Sequence, residues 1–226
     1  MNVITFIIPS LGRETLKNSI NSLQNQTIEN WNAIIIFDGL KSNLEIDDKR
    51  IKVLEINKKG NGINNSGLVR NYGMKYVETD WIAFLDDDDI ISNDYLESFY
   101  EELKENNNLD VLIFRMKRGN DIIPKLNTDN FYLCDVGISF VIRKNIFSNG
   151  IQFCSDGVED YLFLNKIRQH NYKIIISPYV KYFVRETENN YENEKGNRVF
   201  INFENQKISL LGYLLYFYYN EGIYLD

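Results

Sequence analysis

Four aspartates stand in a row, Asp86 to Asp89, directly after the apolar run Trp81–Leu85. Each ionised carboxylate raises the free energy of ionising its neighbour, and a bound divalent cation reverses that sign. In an extended segment Asp86 and Asp88 point to the same side. Ligands that are all oxygen select a hard ion, Mg2+ or Mn2+, and Mg2+ is commonly held by one or two carboxylates plus substrate phosphates. Zinc is disfavoured, because there is a single His and the two cysteines, Cys134 and Cys154, lack ligand spacing. The bland alternative is that Asp87–Asp89 precharge the helix that follows. That reading suits one or two acids better than four.

Other chemistry-bearing residues are weaker signals by themselves. Asp38-Gly39 follows the apolar run Ala33–Phe37 and reads equally as a turn or as a ligand. Arg70 lies on a helical segment after the glycine-containing loop Lys59-Gly60-Asn61-Gly62. Its planar fork suits a diphosphate or a base edge, and the plain alternative is a surface cation. Glu159 and Asp160 open a helical segment, Val158–Gln169. There they either complement the helix dipole or supply a general base.

These groups need elements to position them. Asn2–Ile8, Ala33–Phe37, Ile51–Ile56 and Trp81–Leu85 are apolar, β-branched runs that read as buried strands. Glu14–Gln26, Gly67–Val77 and Tyr95–Leu103 carry helical spacing, the last with Asn93 placed to cap it. This order predicts an α/β domain with a mostly parallel sheet. Open sheets of this kind bind ligands beyond the carboxyl ends of their strands, where Pro9-Ser10, Asp38 and the four acids all fall. In the second half Val111–Lys117, Asp121–Thr128, Gly137–Arg143, Lys173–Ser177 and Val180–Val184 are strand candidates. Glu186–Asn197 reads as a polar loop and Val199–Tyr219 as a terminal helix rich in Leu and Tyr.

Composition narrows the class further. With 226 residues and 44% hydrophobic content, the chain can bury one large core. Its net charge of −7 disfavours nucleic acid as a partner. Two cysteines make no disulfide framework. The start, MNVITFIIPS, lacks a basic n-region, so a cytoplasmic protein is expected. The Tyr-rich end would pack on the domain or pair two chains, ahead of resting at a membrane face, since it lacks a basic flank.

In this order the segments resemble the family 2 glycosyltransferases. FIIPSLGRETLKNSINSLQNQT is similar to that family's opening strand and helix, and NAIIIFDG to its second strand. GLVRNYGMKYVETDWIAFLDDDDIISNDYLE resembles the block that carries its DxD metal motif. GISFVIRKNIF and GVEDYLFLNKIRQHNYKIIISPYVKYFVRE resemble its acceptor half. The resemblance implies a GT-A fold, a Rossmann-like mixed sheet flanked by helices, with a C-terminal helical segment. Residues 1–186 would form one catalytic domain, with 1–90 as its nucleotide-sugar half and 91–186 as its acceptor half. Residues 187–226 would add a loop and a helix.

It also implies roles. Pro9 and Ser10 would line the nucleoside pocket, Asp38 would read the base, and Arg70 would sit near the base or the diphosphate. Asp86 and Asp88 would be the DxD acids, Asp88 ahead of Asp86 as direct metal ligand, with Asp87 near the sugar. Asp160 would be the catalytic base, supported by Glu159. The activity implied is inverting hexosyl or N-acetylhexosaminyl transfer, dependent on Mn2+ or Mg2+, from a nucleotide-sugar donor (a UDP-sugar first) to a glycan or other hydroxyl. Leu11 and Phe37 depart from the family pattern, which often has an aromatic residue and an acid there. Both departures bear on which base is read. The alternatives are a nucleotidyltransferase and a GT-A-like protein that binds without catalysis.

Overall fold

The computed structural model describes residues 4–42, 44–60, 65–155 and 157–185. The chain divides into two units, Met1–Glu186 and Thr187–Asp226, and every described residue belongs to the first. The expected loop at Glu186–Asn197, the helix at Val199–Tyr219 and the Tyr-rich end lie outside the described residues.

The strands are β1 (Ile4–Ser10), β2 (Trp31–Asp38), β3 (Ile51–Ile56), β4 (Trp81–Phe84), β5 (Ile90–Ile91), β6 (Val111–Arg118), β7 (Asp121–Ile123), β8 (Phe140–Arg143) and β9 (Ile174–Val184). The helices are α1 (Leu16–Gln24), α2 (Ser66–Met74), α3 (Tyr95–Glu105), α4 (Lys144–Ser148) and α5 (Glu159–Gln169). The sheet runs β3-β2-β1-β4-β8-β6-β9-β5, with β7 paired to β6. β1 to β4 pair in parallel with one another. β8 then runs antiparallel to β4 and to β6, and β5 antiparallel to β9. The sheet is therefore mixed, and its parallel part carries the amino-terminal half.

β1, β2 and β4 are buried along almost their whole lengths, as strands covered on both faces must be. α2 rests directly on the sheet. A Cβ on Gly73 would stand 2.7 Å from Ile36 Cδ1 and 3.1 Å from Ile7 Cγ2, so only glycine allows this approach. Under the second half, Phe84, Phe140, Phe153 and Phe163 form one aromatic cluster, with the Phe153 and Phe163 rings stacked at 3.9 Å.

Three sequence expectations change. β9 is one strand, not two, and carries Pro178 where its pairing with β6 shifts register, a place where a missing N–H is tolerated. The expected strand over Asp121–Thr128 stops at Ile123, because Pro124 offers the ladder no donor. α3 starts after Asp94 rather than from an Asn93 cap, and the Asp94 carboxylate instead accepts from Lys181 Nζ at 2.6 Å. No helix among the described residues is long and apolar enough to cross a membrane.

Candidate active site

Because β1, β2 and β4 are parallel neighbours, Ser10, Asp38 and the Asp86–Asp89 run emerge on one edge of the sheet. Chain order reverses there, since β1 lies between β2 and β4, and α/β sheets place ligands at such points.

The four acids do not share one job. Asp87 is 4% exposed and turns into the loop after β1. Its Oδ2 accepts from Ser10 Oγ at 2.8 Å and from the Leu11 N–H at 3.0 Å, and its Oδ1 pairs with Arg13 at 2.9 Å. Thr15 Oγ1 donates to the Asp87 carbonyl, and Ser19 Oγ donates to the Asp89 carbonyl at 2.7 Å. The first loop and the start of α1 are thus sewn to the acid turn. Asp86, Asp88 and Asp89 instead bring one carboxylate oxygen each to within 4.8 Å of one another. This is an all-oxygen donor set of the kind that hard divalent cations take.

Electrostatics mark two of these three residues, Asp88 and Asp89. Burial raises the Asp89 carboxyl to about 8, with Asp86 adding to the shift. Burial also raises Asp88, opposed by Arg13 and reinforced by Asp86 and Asp87. The Asp86 N–H donates to the buried Tyr182 hydroxyl at 3.1 Å, and the Arg185 N–H donates to Asp89 Oδ1 at 3.1 Å. The end of β9 therefore backs the cluster. These residues fit a bound Mg2+ or Mn2+, which would relieve the repulsion that Arg13 at Asp88 and Arg70 at Asp86 offset only in part.

Arg70 joins this cluster to the far half. Its side chain is 3% exposed, and its Nη2 lies 2.5 Å from Asp86 Oδ1. Its Nη1 lies 2.5 Å from Glu159 Oε1 and 3.7 Å from Asp160 Oδ1. Burial works against the Arg70 charge, but Asp86, Asp160 and Glu159 together raise its pKa. Ser66 Oγ also donates to Glu159 Oε1 at 2.8 Å. Gly67 makes the meeting of α2 and α5 possible: a Cβ there would be 2.7 Å from the Cys154 carbonyl and 2.8 Å from Phe153 Cβ. Asn71 completes the joint, exchanging two hydrogen bonds with the Phe153 backbone at 2.8 and 3.0 Å. Burial raises Asp160 to about 7, opposed by Arg70 and reinforced by Asp86 and Glu159.

Asp38 sits at the end of β2, 5% exposed. Its Oδ1 accepts from the Lys59 N–H at 2.6 Å and its Oδ2 lies 3.3 Å from Lys58 Nζ. It fastens the loop after β3 to the same edge. Pro9 lies within β1, beside Ile36 in the sheet. His170, the single His of the chain, caps the end of α5.

A family model for glycosyl transferase family 2 matches residues 5–158. The chain belongs to this family. Among family relatives, it is 30% identical over 188 residues to the Escherichia coli UDP-Glc:alpha-D-GlcNAc-diphosphoundecaprenol beta-1,3-glucosyltransferase WfgD, covering 76% of this chain and 73% of that one. It is 25% identical to the Staphylococcus aureus poly(ribitol-phosphate) beta-N-acetylglucosaminyltransferase TarP, covering 99% and 74%. Among solved structures, S. aureus TarS 1–349 in complex with UDP superposes with a TM-score of 0.63 at 20% identity, covering 80% of this chain and 60% of that one. The Pyrobaculum calidifontis mannosyltransferase PcManGT, in complex with GDP-Man and Mn2+, gives 0.61 at 14% identity, covering 83% and 58%. This chain thus spans about three-fifths of those solved chains, which share its GT-A fold.

Three residues that touch the acid turn, Arg13, Ser19 and Tyr182, escaped the sequence reading, and Asp89 was read only as part of the acid run. Arg13 carried a signal, a lone cation in the loop after the first strand. Tyr182 carried none, because its partner lies 96 residues away.

Proposed function

We propose that the protein transfers a sugar from a nucleotide-sugar donor, a UDP-sugar first, to an acceptor hydroxyl, with inversion and with dependence on a divalent cation. One observation carries the reading: Arg70 lies between the cation-type cluster at Asp86 and the half-buried acid Asp160, with one terminal nitrogen toward each. Asp88, Asp86 and Asp89 are the residues that would hold Mn2+ or Mg2+. When bound, the cation offsets charge that develops on the departing diphosphate.

The chain's own residues do the rest. Asp160 accepts the proton of the attacking hydroxyl, and a pKa near 7 suits a base at neutral pH. Glu159, held by Ser66 and Arg70, fixes the first turn of α5, which carries Asp160. Ser10, through Asp87, and Asp38, through Lys58 and Lys59, shape the edge where the nucleoside would lie. Pro9 stiffens the strand that leads there. A single displacement on the anomeric carbon gives inversion, in keeping with the β-linkages in the names of WfgD and TarP. Those names also favour UDP-glucose and UDP-N-acetylglucosamine as donors, and a lipid-linked or polymeric surface glycan as acceptor. Such an acceptor would bring a cytoplasmic enzyme to a membrane face. Pairing of two chains through the Tyr-rich end is a further part of the proposal.

The test is incubation with a panel of nucleotide sugars and Mn2+, reading nucleoside diphosphate release with and without EDTA. Release from a UDP-sugar that EDTA abolishes supports the reading. Binding of nucleotide without any turnover, across donors and glycan acceptors, favours the non-catalytic alternative.

A further inference from the structure

We infer that Arg70 is a positioning residue that couples the cation site to the acceptor base, holding Asp86 when no cation is present and serving Glu159 and Asp160 when one is. The inference deepens the proposed function and rests on reading Asp86 as a cation ligand and Asp160 as the base.

The geometry is that of a shared part. A guanidinium is rigid and planar, so its two terminal nitrogens reach different partners without rotating. In Arg70 one nitrogen takes Asp86 and the other takes Glu159, each at 2.5 Å. Asp160 Oδ1 stands at 3.7 Å from the guanidinium, beyond hydrogen-bond range, and has no hydrogen-bond partner among the described residues. Glu159 is thereby the anchor, and Asp160 feels the charge without being bonded to it. The Phe153 ring lies 5.6 Å from the guanidinium carbon and limits its movement on that side.

A cation at Asp86 changes the balance. Asp86 is a third exposed at its side chain, whereas Arg70 is buried, so the carboxylate is the reachable member of the pair. The guanidinium and an incoming cation both draw on this carboxylate and repel each other across it. Arg70 thus weakens cation binding, and the cation in turn leaves Arg70 to Glu159 and Asp160. A residue that merely supported the fold would have the opposite sign: its loss would loosen the cation site.

The experiment measures Mn2+ affinity by electron paramagnetic resonance of the free ion, without nucleotide, for wild type, Arg70→Gln and Glu159→Gln. Circular dichroism confirms that each is folded. Arg70→Gln should bind Mn2+ about tenfold more tightly, one pKa-unit equivalent of removed charge. Glu159→Gln should bind it several-fold more weakly, because the guanidinium then concentrates on Asp86. In a parallel arm, UDP release from UDP-glucose and UDP-N-acetylglucosamine should show kcat down about hundredfold in Arg70→Gln with KM little changed. Arg70→Lys should recover part of kcat, since a point charge cannot span both partners. Unchanged or weaker Mn2+ binding by folded Arg70→Gln overturns the inference, as does a rise in KM alone. Should Arg70→Gln fail to fold, Glu159→Gln decides alone, and unaltered Mn2+ affinity in it is the overturning result. If wild type releases no nucleoside diphosphate, the proposed reaction fails while the Mn2+ comparison still reads the coupling.

Discussion

The backbone N–H of Asp86 donates to the hydroxyl of Tyr182 at 3.1 Å, joining the turn after β4 to the end of β9. The same hydroxyl interacts with Asp89, whose shift it opposes. One buried phenol thus holds the backbone of Asp86 and the carboxylate of Asp89. Tyr182→Phe should cost about 1–2 kcal/mol, the usual penalty for leaving a largely buried donor unpaired. It should also weaken Mn2+ binding several-fold. Chemical denaturation and Mn2+ titration check the two effects. Unchanged Mn2+ affinity would mean that the turn needs no support from β9.

Asp87 and Asp88 should separate by phenotype. Asp87 ties Ser10, Leu11 and Arg13 to the turn, so Asp87→Ala should lower stability by about 2–3 kcal/mol through lost charge-assisted bonds. Asp88 is 35% exposed at its side chain, and Asp88→Asn should leave stability nearly unchanged while abolishing cation-dependent turnover. Thermal melts paired with UDP-release assays read both. Equal destabilisation by the two variants would refute this division.

Asp160→Asn should abolish transfer and leave cation-dependent nucleotide binding nearly intact. The expected loss is about a hundredfold or more in kcat. Isothermal titration with UDP and Mn2+, run beside the transfer assay, checks both halves. Surviving transfer would remove Asp160 from the mechanism.

The pH behaviour follows from two raised carboxyls. Asp160 is raised to about 7 and Asp89 to about 8, both chiefly by burial. The folded protein therefore binds more protons than the unfolded chain between about pH 4 and these values. Stability from these groups is largest at low pH and is lost as pH rises through the window. In EDTA the melting temperature should fall between pH 5.5 and 8.5, and saturating Mn2+ should flatten the fall. With Asp160 as the proposed base, turnover should rise over the same range. Melting curves in chelator that climb with pH would contradict the assignment.

Gly67→Ala should be as damaging as a change at the acids. Its methyl would press on the Cys154 carbonyl and on Phe153, which sets the distance between α2 and α5. A loss of about 1–3 kcal/mol is expected from overpacking, with kcat reduced because Arg70 and Glu159 part. Denaturation and kinetics test it, and a fully active, stable variant would show that the joint has slack.

The amino-terminal half was legible because its cues are local. Apolar runs of strand length ended in Pro9-Ser10, Asp38-Gly39 and four aspartates, and parallel pairing put those ends on one edge. The acid run also pointed to the all-oxygen donor set that Asp86, Asp88 and Asp89 form. What could not be read was how the four acids divide their work. Asp87 facing Ser10 and Arg13, and Asp89 joining the cluster, depend on the path of a tight turn that spacing in an extended strand does not describe. β9 was misread because Pro178 normally breaks a strand, and only its pairing with an irregular stretch of β6 shows how the break is absorbed. Local sequence left Arg70 open between a base or diphosphate contact and a surface cation, and its pairing with acids was hidden because they come from 16 and 89 residues away.

The acid turn is fastened at both ends by the same sheet, through β4 before it and β5 after it, and is stitched laterally to α1. Its carboxylates are therefore brought together by folding itself, ahead of any ligand. A nascent chain must close around this concentration of negative charge, and whatever ion discharges it acts first as a folding aid. Depriving cells of divalent ions should accordingly deplete the amount of soluble protein before it slows the rate of each surviving molecule.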